Sequence, residues 1–283
     1  MRKKLLISAG SIVVVALLLI AFLPSITNAL GIHPDYDGPT YKVEGGKALI
    51  VTTSHGVLSR PGETDGAPTG VLASEMTHPY YVFLEAGMDV DIASIKGGEI
   101  PVDPSSFNYL IVSDEDKRFQ NDAVFQAKVN NSMKIDDVDF AAYDVVFLSG
   151  GWGAAYDLEQ SDVLAQKISD AYYSEKETII GSVCHGALGL VRAEDLDGNL
   201  LIAGRRATGV TNGQLEDLNI SFTPRHPETE LRKAGAIFES STAFSDFFAT
   251  HVSVDDEQRF VTGQNQNSGL EASHKITELL SQR

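Results

Sequence analysis

The chain has 283 residues, a formal net charge of -17 and a single cysteine. Its length and its 43% hydrophobic content are enough for one α/β domain of ordinary size or for two small ones. The acidic balance, with no basic stripe to offset it, argues against nucleic acid as a partner, and one cysteine excludes an intrachain disulfide bond.

The first residues form an apolar run behind a basic cluster. Basic residues at positions 2–4 precede a run that is mainly apolar over residues 5–23. About 20 apolar residues span a bilayer, whereas a secretory signal needs an apolar core of only about 7–15. We therefore predict that residues 1–29 are a signal peptide or a membrane anchor. The globular part would then lie outside the cytoplasm, membrane-anchored or exported to a bacterial periplasm.

Residues 30–45 are rich in Gly, Pro and Asp, and we predict that they form a linker. Beyond this linker, predicted strands and helices alternate along the chain. Apolar and β-branched runs predict strands at residues 47–52, 88–93, 144–148, 178–183, 251–254 and 259–262. Helical spacing predicts helices at residues 69–86, 161–174 and 268–280, and a loop at residues 59–68. Such alternation is typical of a parallel sheet covered on both faces. We predict one domain over residues 46–283, with its ligand site beyond the carboxyl ends of the strands.

The cysteine lies where a predicted strand turns into an apolar helical turn. Cys184 follows the strand, His185 is next, and Gly186 comes before the turn. This order is typical of a nucleophile elbow, and a helix N-terminus there would favour the reactive thiolate. An inert buried cysteine is the alternative. We predict that Cys184 is a nucleophile, with His185 acting as a base or completing an oxyanion hole through its backbone N–H.

Two further positions are candidates for the same site. Glu75 is the only charge on a helical face that otherwise carries Leu72, Met76, Pro79 and Phe83. A buried carboxyl has a raised pKa and suits general acid–base catalysis, although it could equally cap a backbone group or pair with an arginine. Gly150 and Gly151 end a predicted strand, so their N–H groups could stabilise an oxyanion or simply form a turn. Trp152 could line a pocket or merely pack.

The other histidines and glycines form no cofactor signature. The sequence contains no His-Glu-x-x-His, no Cys-x-x-Cys and no Gly-Lys-Ser/Thr ending of a phosphate loop. We therefore expect no metal, no nucleotide and no other cofactor.

Four stretches of the chain carry a family resemblance. They are residues 73–80 (ASEMTHPY), 147–153 (FLSGGWG), 182–186 (SVCHG) and 261–265 (VTGQN). They resemble the DJ-1/PfpI superfamily of class I glutamine amidotransferase-like folds, and above all its Hsp31-like branch, whose members include glutathione-independent glyoxalases. The resemblance runs from about residue 47 to the C-terminus.

The resemblance implies a flavodoxin-like three-layer sandwich with a mostly parallel central sheet, usually in a homodimer. It implies that Cys184 is the nucleophile, that Glu75 contacts the thiol, and that Gly151 donates to the oxyanion. The family's histidine is oriented by an acidic residue after a Thr-Gly pair. Leu215 aligns with that position and Glu216 is one step away, so Glu216 is our candidate for the third triad member.

A second short motif resembles true glutamine amidotransferases. His226-Pro227-Glu228 matches their His-x-Glu pattern, but it follows Cys184 too closely, and we expect it to be a coincidental loop.

Three functions remain open at this stage. The first is a glyoxalase-like conversion of methylglyoxal to lactate, in which Cys184 adds to the aldehyde and Glu75 or His185 moves the proton. The second is a cysteine hydrolase, such as a peptidase, amidase or deglycase. The third is a non-enzymatic chaperone or redox sensor at the membrane. We expect a small carbonyl compound as the substrate in the first case.

Overall fold

The computed structural model describes residues 36–109, 111–243 and 245–283, together with Val14, Val15 and Phe22. The predicted signal or anchor, residues 1–29, lies almost entirely outside these described residues. Within them, no helix is both long enough and apolar enough to cross a bilayer. We therefore correct the prediction of a membrane-anchored or exported protein, which no helix among the described residues supports.

Within the described ranges the chain forms eleven strands, seven of which build one central sheet. They are β1 (Lys47–Thr52), β2 (Val57–Leu58), β3 (Ala67–Pro68), β4 (Asp89–Ser94), β5 (Met133–Lys134), β6 (Val145–Leu148), β7 (Ile179–Val183), β8 (Arg206–Ala207), β9 (Ile237–Phe238), β10 (Val252–Val254) and β11 (Phe260–Gly263). The sheet order is β10-β11-β7-β6-β1-β4-β5. All neighbours are parallel except β10 and β11. β2 and β3 form a separate hairpin, and β8 pairs with β9.

Eight α-helices are described along the same ranges. They are α1 (Ala73–Glu85), α2 (Asp114–Phe119), α3 (Ala123–Asn130), α4 (Ala154–Asp157), α5 (Asp162–Tyr172), α6 (Asn212–Asp217), α7 (Pro227–Lys233) and α8 (Gly269–Ser281). Short 3-10 helices occur between them at Pro104–Phe107, Ile135–Asp137, Phe140–Ala142, Cys184–Leu190, Asp246–Phe248 and Gln266–Ser268.

Helices cover the central sheet on both faces, because successive side chains of a strand point to opposite sides. Ile50 of β1 joins a buried cluster that includes Phe83 of α1 and Ile276 of α8. Its neighbour Leu49 joins a second cluster that includes Leu164 of α5. This arrangement confirms the predicted three-layer α/β sandwich with a mostly parallel sheet.

The first helix shows the largest difference from the predicted elements. It begins at Ala73 rather than at residue 69. Gly70 has φ +155°, and a Cβ there would lie 1.9 Å from the carbonyl oxygen of Pro101. Val71 then forms an isolated bridge with Val102. Because the chain is extended here and lies against a neighbouring segment, the helix begins later than predicted. The predicted loop at residues 59–68 also contains strand β3.

The described part of the predicted linker lies against the domain. The ring of Tyr36 stacks on His274 of α8 at a centroid distance of 3.9 Å. The N–H of Val43 donates to the carbonyl oxygen of Ala86 at 2.7 Å. Residues 36–45 therefore pack on helices α1 and α8 before the first strand begins.

Candidate functional site

Cys184 occupies a sharp turn at the carboxyl end of β7. The strand ends at Val183, and the 3-10 helix Cys184–Leu190 begins at once. Cys184 has φ +56°, a conformation that side chains other than glycine rarely adopt and that persists only where the surroundings fix it. Gly186 lets this turn lie against β6, because a Cβ there would be 2.0 Å from the carbonyl oxygen of Leu148. The strand-to-helix turn predicted from the sequence is therefore present.

The surroundings of the thiol differ from the expectation of a helix-stabilised thiolate. Burial raises the pKa of the Cys184 thiol, and the negative charge of Glu75 raises it further. The N–H groups of His185 and Gly151 act in the opposite direction and lower that pKa. The following element is a 3-10 helix of 7 residues rather than an α-helix. Burial and the neighbouring Glu75 therefore favour the neutral thiol over the thiolate that we expected a helix N-terminus to stabilise.

Glu75 lies in the first turn of α1 with its carboxyl beside the thiol, and only 1% of its surface is exposed. Burial raises the pKa of this carboxyl to about 8, although interactions with the Cys184 thiol and with the N–H groups of Gly150 and Gly151 lower it. These contacts are loose, since Oε2 has no well-aligned hydrogen-bond partner among the described residues. Such contacts commonly tighten when substrate binds. A carboxyl that titrates near neutral pH can both take up and give back a proton.

The two glycines after β6 let the backbone approach this pair closely. A Cβ at Gly150 would lie 2.4 Å from Oε2 of Glu75 and 2.7 Å from the backbone nitrogen of His185. Gly151 has φ +91°, and a Cβ there would lie 2.4 Å from the backbone nitrogen of Leu72. The N–H of Gly151 lowers the pKa of both Glu75 and Cys184. It is therefore placed where it can donate to an oxyanion that forms on a substrate bound to Sγ.

His185 contacts the thiol although the two residues are neighbours in the chain. Its Nδ1 lies 3.4 Å from Sγ of Cys184. Its ring packs edge-on against the ring of Trp152, with a distance of 5.1 Å between the two ring centroids. The residue is buried, and burial, followed by the charge of His226, lowers the pKa of His185 to about 3. Its Nε2 has no hydrogen-bond partner in the part of the chain that the structure describes. At neutral pH this imidazole is uncharged and is a weaker base than an ordinary histidine.

The structure does not bring Glu216 to His185. Leu215 is buried in the core, whereas Glu216, the next residue of α6, is exposed. Successive helical residues point in different directions, so one position separates a core side chain from a solvent-facing one. No hydrogen bond or ion pair joins Glu216 to His185. We therefore correct the prediction that Glu216 is the third triad member.

His226 is a neighbour of His185 that we expected to lie in a loop without a role. It is the N-cap residue of α7, and its charge contributes to the lowered pKa of His185. Its Nε2 is buried and has no hydrogen-bond partner among the described residues. Glu228 instead accepts from the N–H of Asn212 at 2.8 Å and pairs with Arg232. The His-x-Glu motif was the only signal in the sequence for this position.

These groups open into a cavity of about 580 Å³. We call Glu75, Gly151, Cys184 and His185 its floor. Its outer wall is formed largely by residues 105–109, 111–117 and 210–220, with Trp152, Phe247 and Leu270 beside them. Our sequence analysis assigned no strand or helix to these wall segments, because their helices are at most six residues long and the backbone between them is irregular, so no hydrophobic period can be detected. Among the described residues, no group of three or more His, Cys, Asp or Glu side chains is arranged to hold a metal ion.

Known proteins share most of this chain. Residues 67–278 match the family model of the DJ-1/PfpI family. The protein named Glyoxalase 3 from Candida albicans is 28% identical over 241 residues, which cover 81% of this chain and 96% of that protein. A protein from Schizosaccharomyces pombe named putative glutathione-independent glyoxalase hsp3105 is 32% identical over 74% of this chain and 83% of its own length.

Solved structures agree with the sequence matches. Rapid Encystment Protein 24 KDa from Francisella tularensis superposes with a TM-score of 0.74 at 30% identity, covering 83% of this chain and 99% of that one. Glyoxalase III from Candida albicans superposes with a TM-score of 0.70 at 26% identity, covering 82% and 95%. The family match spans most of the described residues and includes every residue of the floor. The chain therefore belongs to the DJ-1/PfpI family.

Proposed function

We propose that this protein is a glutathione-independent, glyoxalase-like enzyme that converts methylglyoxal to lactate with Cys184 as its nucleophile. The observation that carries the proposal is the Glu75 carboxyl, buried beside the only thiol of the chain with its pKa raised to about 8. Relatives named glutathione-independent glyoxalase support the same activity. A thiol and a proton-transferring carboxyl are the two groups that this isomerisation requires.

The first step is addition of the thiol to the aldehyde. The Cys184 proton passes to Glu75, Sγ bonds to the aldehyde carbon, and Glu75 returns that proton to the carbonyl oxygen, which becomes the hydroxyl of a hemithioacetal. The oxyanion that forms transiently lies near the N–H of Gly151, with the backbone N–H of His185 as a second donor.

The second step moves a proton between adjacent carbons. Glu75 removes the C–H proton of the hemithioacetal, the hydroxyl proton passes to the neighbouring ketone oxygen to give an enediol intermediate, and Glu75 returns its proton to the neighbouring carbon, which yields a lactoyl thioester on Cys184. We assign this transfer to Glu75 rather than to His185, because the pKa of Glu75 is about 8 and that of His185 is about 3. A group that titrates near the working pH is the better proton carrier.

The third step is hydrolysis. Water attacks the thioester carbonyl, the C–S bond breaks, and lactate leaves while the thiol is regenerated. The net reaction is methylglyoxal plus water to lactate, and it needs no external oxidant or reductant. A cysteine hydrolase would share this last step, but it would not require a carboxyl suited to proton transfer between two carbons.

The full-length protein tests the proposal directly. We expect lactate from methylglyoxal without added glutathione, and loss of the activity to background in Cys184→Ala. Because the chain has one cysteine, alkylation of the wild type by one equivalent of iodoacetamide should abolish the same activity. Full activity in Cys184→Ala would refute the mechanism. An acyl-enzyme trapped from an amide or ester substrate, with no lactate formed, would instead identify a hydrolase.

We further propose that residues 46–283 form the catalytic domain, that residues 30–45 lead into it, and that the enzyme acts as a homodimer. Sedimentation equilibrium of the full-length protein measures the subunit number, and a purely monomeric species would refute the dimer.

A further inference from the structure

The cavity is far larger than methylglyoxal requires. Its volume of about 580 Å³ falls in the range of about 300–1,000 Å³ that is usual for pockets that hold drug-sized ligands. The substituent of methylglyoxal is a single methyl group, so its reacting carbons at Cys184 would leave most of this space empty. Empty space beside a reacting group gives the protein no binding energy, whereas apolar surface that fills it does.

The space beyond the floor is mainly apolar. Trp152, Val210, Phe247 and Leu270 face it together with Ile111 and Val112. These side chains come from separate parts of the chain and enclose one continuous volume. A substituent of matching character would be aliphatic or aromatic rather than charged or strongly polar.

The polar side chains of this wall are mostly engaged within the protein. The hydroxyl of Ser106 accepts from the N–H of Ala73 at 2.9 Å, and the amide of Asn267 donates to the carbonyl oxygen of Phe247 at 3.2 Å. Ser113 is occupied as the cap of α2. His78, which also lines the cavity, lies 3.6 Å from Glu115. The buried Oε1 of Gln214 has no partner among the described residues. The wall therefore offers a bound substituent a mainly apolar surface with a few polar groups.

The charges near the cavity lie at its rim and are mainly acidic. Asp114 and Glu115 line this edge, and Lys117, the one lysine among the lining residues, pairs with Asp114 at 2.7 Å. Both members of that pair are solvent-exposed. Because Lys117 offsets Asp114, Glu115 leaves the entrance with a net negative charge, which disfavours a substrate with a negatively charged substituent.

From the size of the cavity, its apolar lining and its acidic rim we infer that the preferred substrate is a 2-oxoaldehyde with a bulky, uncharged apolar substituent. Methylglyoxal, with its single methyl group, is then a smaller and poorer substrate. This inference rests on the proposed function, because the reacting end and its chemistry are the same. The substituent lies between Val112 and Phe247, while the aldehyde carbon lies at Sγ of Cys184. The product is the corresponding 2-hydroxy acid, formed with water as the only co-reactant.

The test compares methylglyoxal with isobutylglyoxal, in which an isobutyl group replaces the methyl group and leaves the reacting carbons nearly unchanged. We expect kcat/KM of the full-length wild type to be at least about tenfold higher for isobutylglyoxal, because one extra methylene in an apolar pocket already changes it by about tenfold or more. Val112→Trp, which narrows the cavity, should remove this preference because it lowers kcat/KM for isobutylglyoxal more than kcat/KM for methylglyoxal. Val124→Trp is the matched control, since Val124 is 67% exposed on α3 and does not line the cavity.

A binding measurement separates this inference from the proposed function. Lactate and the hydroxy acid of isobutylglyoxal carry the same carboxylate, so their titration calorimetry reports the substituent alone. We expect about tenfold tighter binding of the larger acid to the wild type, and loss of that advantage in Val112→Trp. Equal binding of the two acids, or methylglyoxal turnover that equals or exceeds that of isobutylglyoxal, would overturn the inference and leave the proposed function intact. Tighter binding of the larger acid without turnover of either aldehyde would refute the proposed function and, with it, the 2-oxoaldehyde substrate, while it would leave an apolar binding site in the cavity.

Discussion

The floor and the outer wall of the cavity are built in opposite ways. Three of the four floor residues are charged or polar side chains that are at most 5% exposed, and all four lie at a strand end or in the first turn of a helix. The outer wall is formed by irregular chain and short helices, and some of its side chains, such as Tyr109 at 56%, are well exposed. A substitution in the floor disturbs the sheet, whereas a substitution in the outer wall can leave the sheet unchanged. Under the proposed function, the fold therefore fixes the reacting groups, and the segments attached to it determine which substituent is accepted.

The largest effect should come from the carboxyl of the floor. Glu75→Gln keeps the shape of the side chain but cannot transfer a proton, and we expect kcat/KM for a 2-oxoaldehyde to fall by about 10² to 10⁴. In the wild type, kcat/KM should rise with pH and level off above about 8, because the thiol and carboxyl together must lose one proton before attack. A pH–rate profile measures both effects. A variant that retained the wild-type rate and profile would exclude Glu75 as the proton carrier.

The next largest effect should come from backbone shape at the floor. Gly150→Ala places a methyl group 2.4 Å from Oε2 of Glu75, so the carboxyl must move away from Cys184. We expect kcat/KM to fall by about 10², which is the usual result of a displacement near 1 Å in a reacting group. Gly198→Ala is the control for a methyl group without a steric clash, because a Cβ there meets nothing within 4 Å. Its φ of +83° makes the alanine variant less stable, but the folded variant should keep wild-type activity. Equal activity in the two variants would show that this close approach is unimportant.

A smaller effect concerns stability rather than rate. Below pH 4.5 the Glu75 carboxyl is protonated in both states, but between 4.5 and about 8 it ionises only in the unfolded chain. Its favourable contribution to folding is therefore present at low pH and is lost as pH rises to about 8. Relative to Glu75→Gln, the free energy of unfolding of the wild type should fall by up to about 5 kcal/mol between pH 4.5 and about 8, at about 1.4 kcal/mol per pKa unit.

Urea unfolding of both proteins at pH 4.5 and at pH 8 measures this difference. His185 is present in both proteins, so its own titration cancels in the comparison. A difference in unfolding free energy that did not change with pH would mean that the Glu75 carboxyl ionises normally in the folded protein.

The smallest effect is expected outside the floor. Glu216→Gln changes the same chemical group as Glu75→Gln, but on an exposed position of α6. We expect activity within about twofold of the wild type and stability within about 0.5 kcal/mol, as is usual for surface substitutions. A large loss of kcat/KM would restore Glu216 to the site and refute the geometry described above.

The contrast between the floor and the outer wall also explains how much of the structure could be predicted from the sequence. Regular periods and glycines at strand ends predicted the sheet, the elbow at Cys184 and the position of Glu75, because each depends on a few neighbouring residues. The outer wall could not be predicted, since its shape depends on contacts between distant irregular segments.

The third triad member shows the limit most clearly. An alignment uncertain by one residue cannot distinguish Leu215 from Glu216, and on a helix that single step exchanges core for solvent. His226 approaches His185 only because α7 packs on the 3-10 helix Cys184–Leu190, a contact between separate segments. No local pattern predicts such an approach.

The backbone of Cys184 has a consequence for the evolution of this protein. A left-handed conformation costs a residue with a side chain about 1–3 kcal/mol, while glycine adopts it without penalty. Replacement of the cysteine by glycine would relax the turn, but it would also remove the nucleophile and the packing of a side chain buried in the core. A chain that keeps the nucleophile at this position must therefore offset the cost of its backbone conformation through the surrounding contacts.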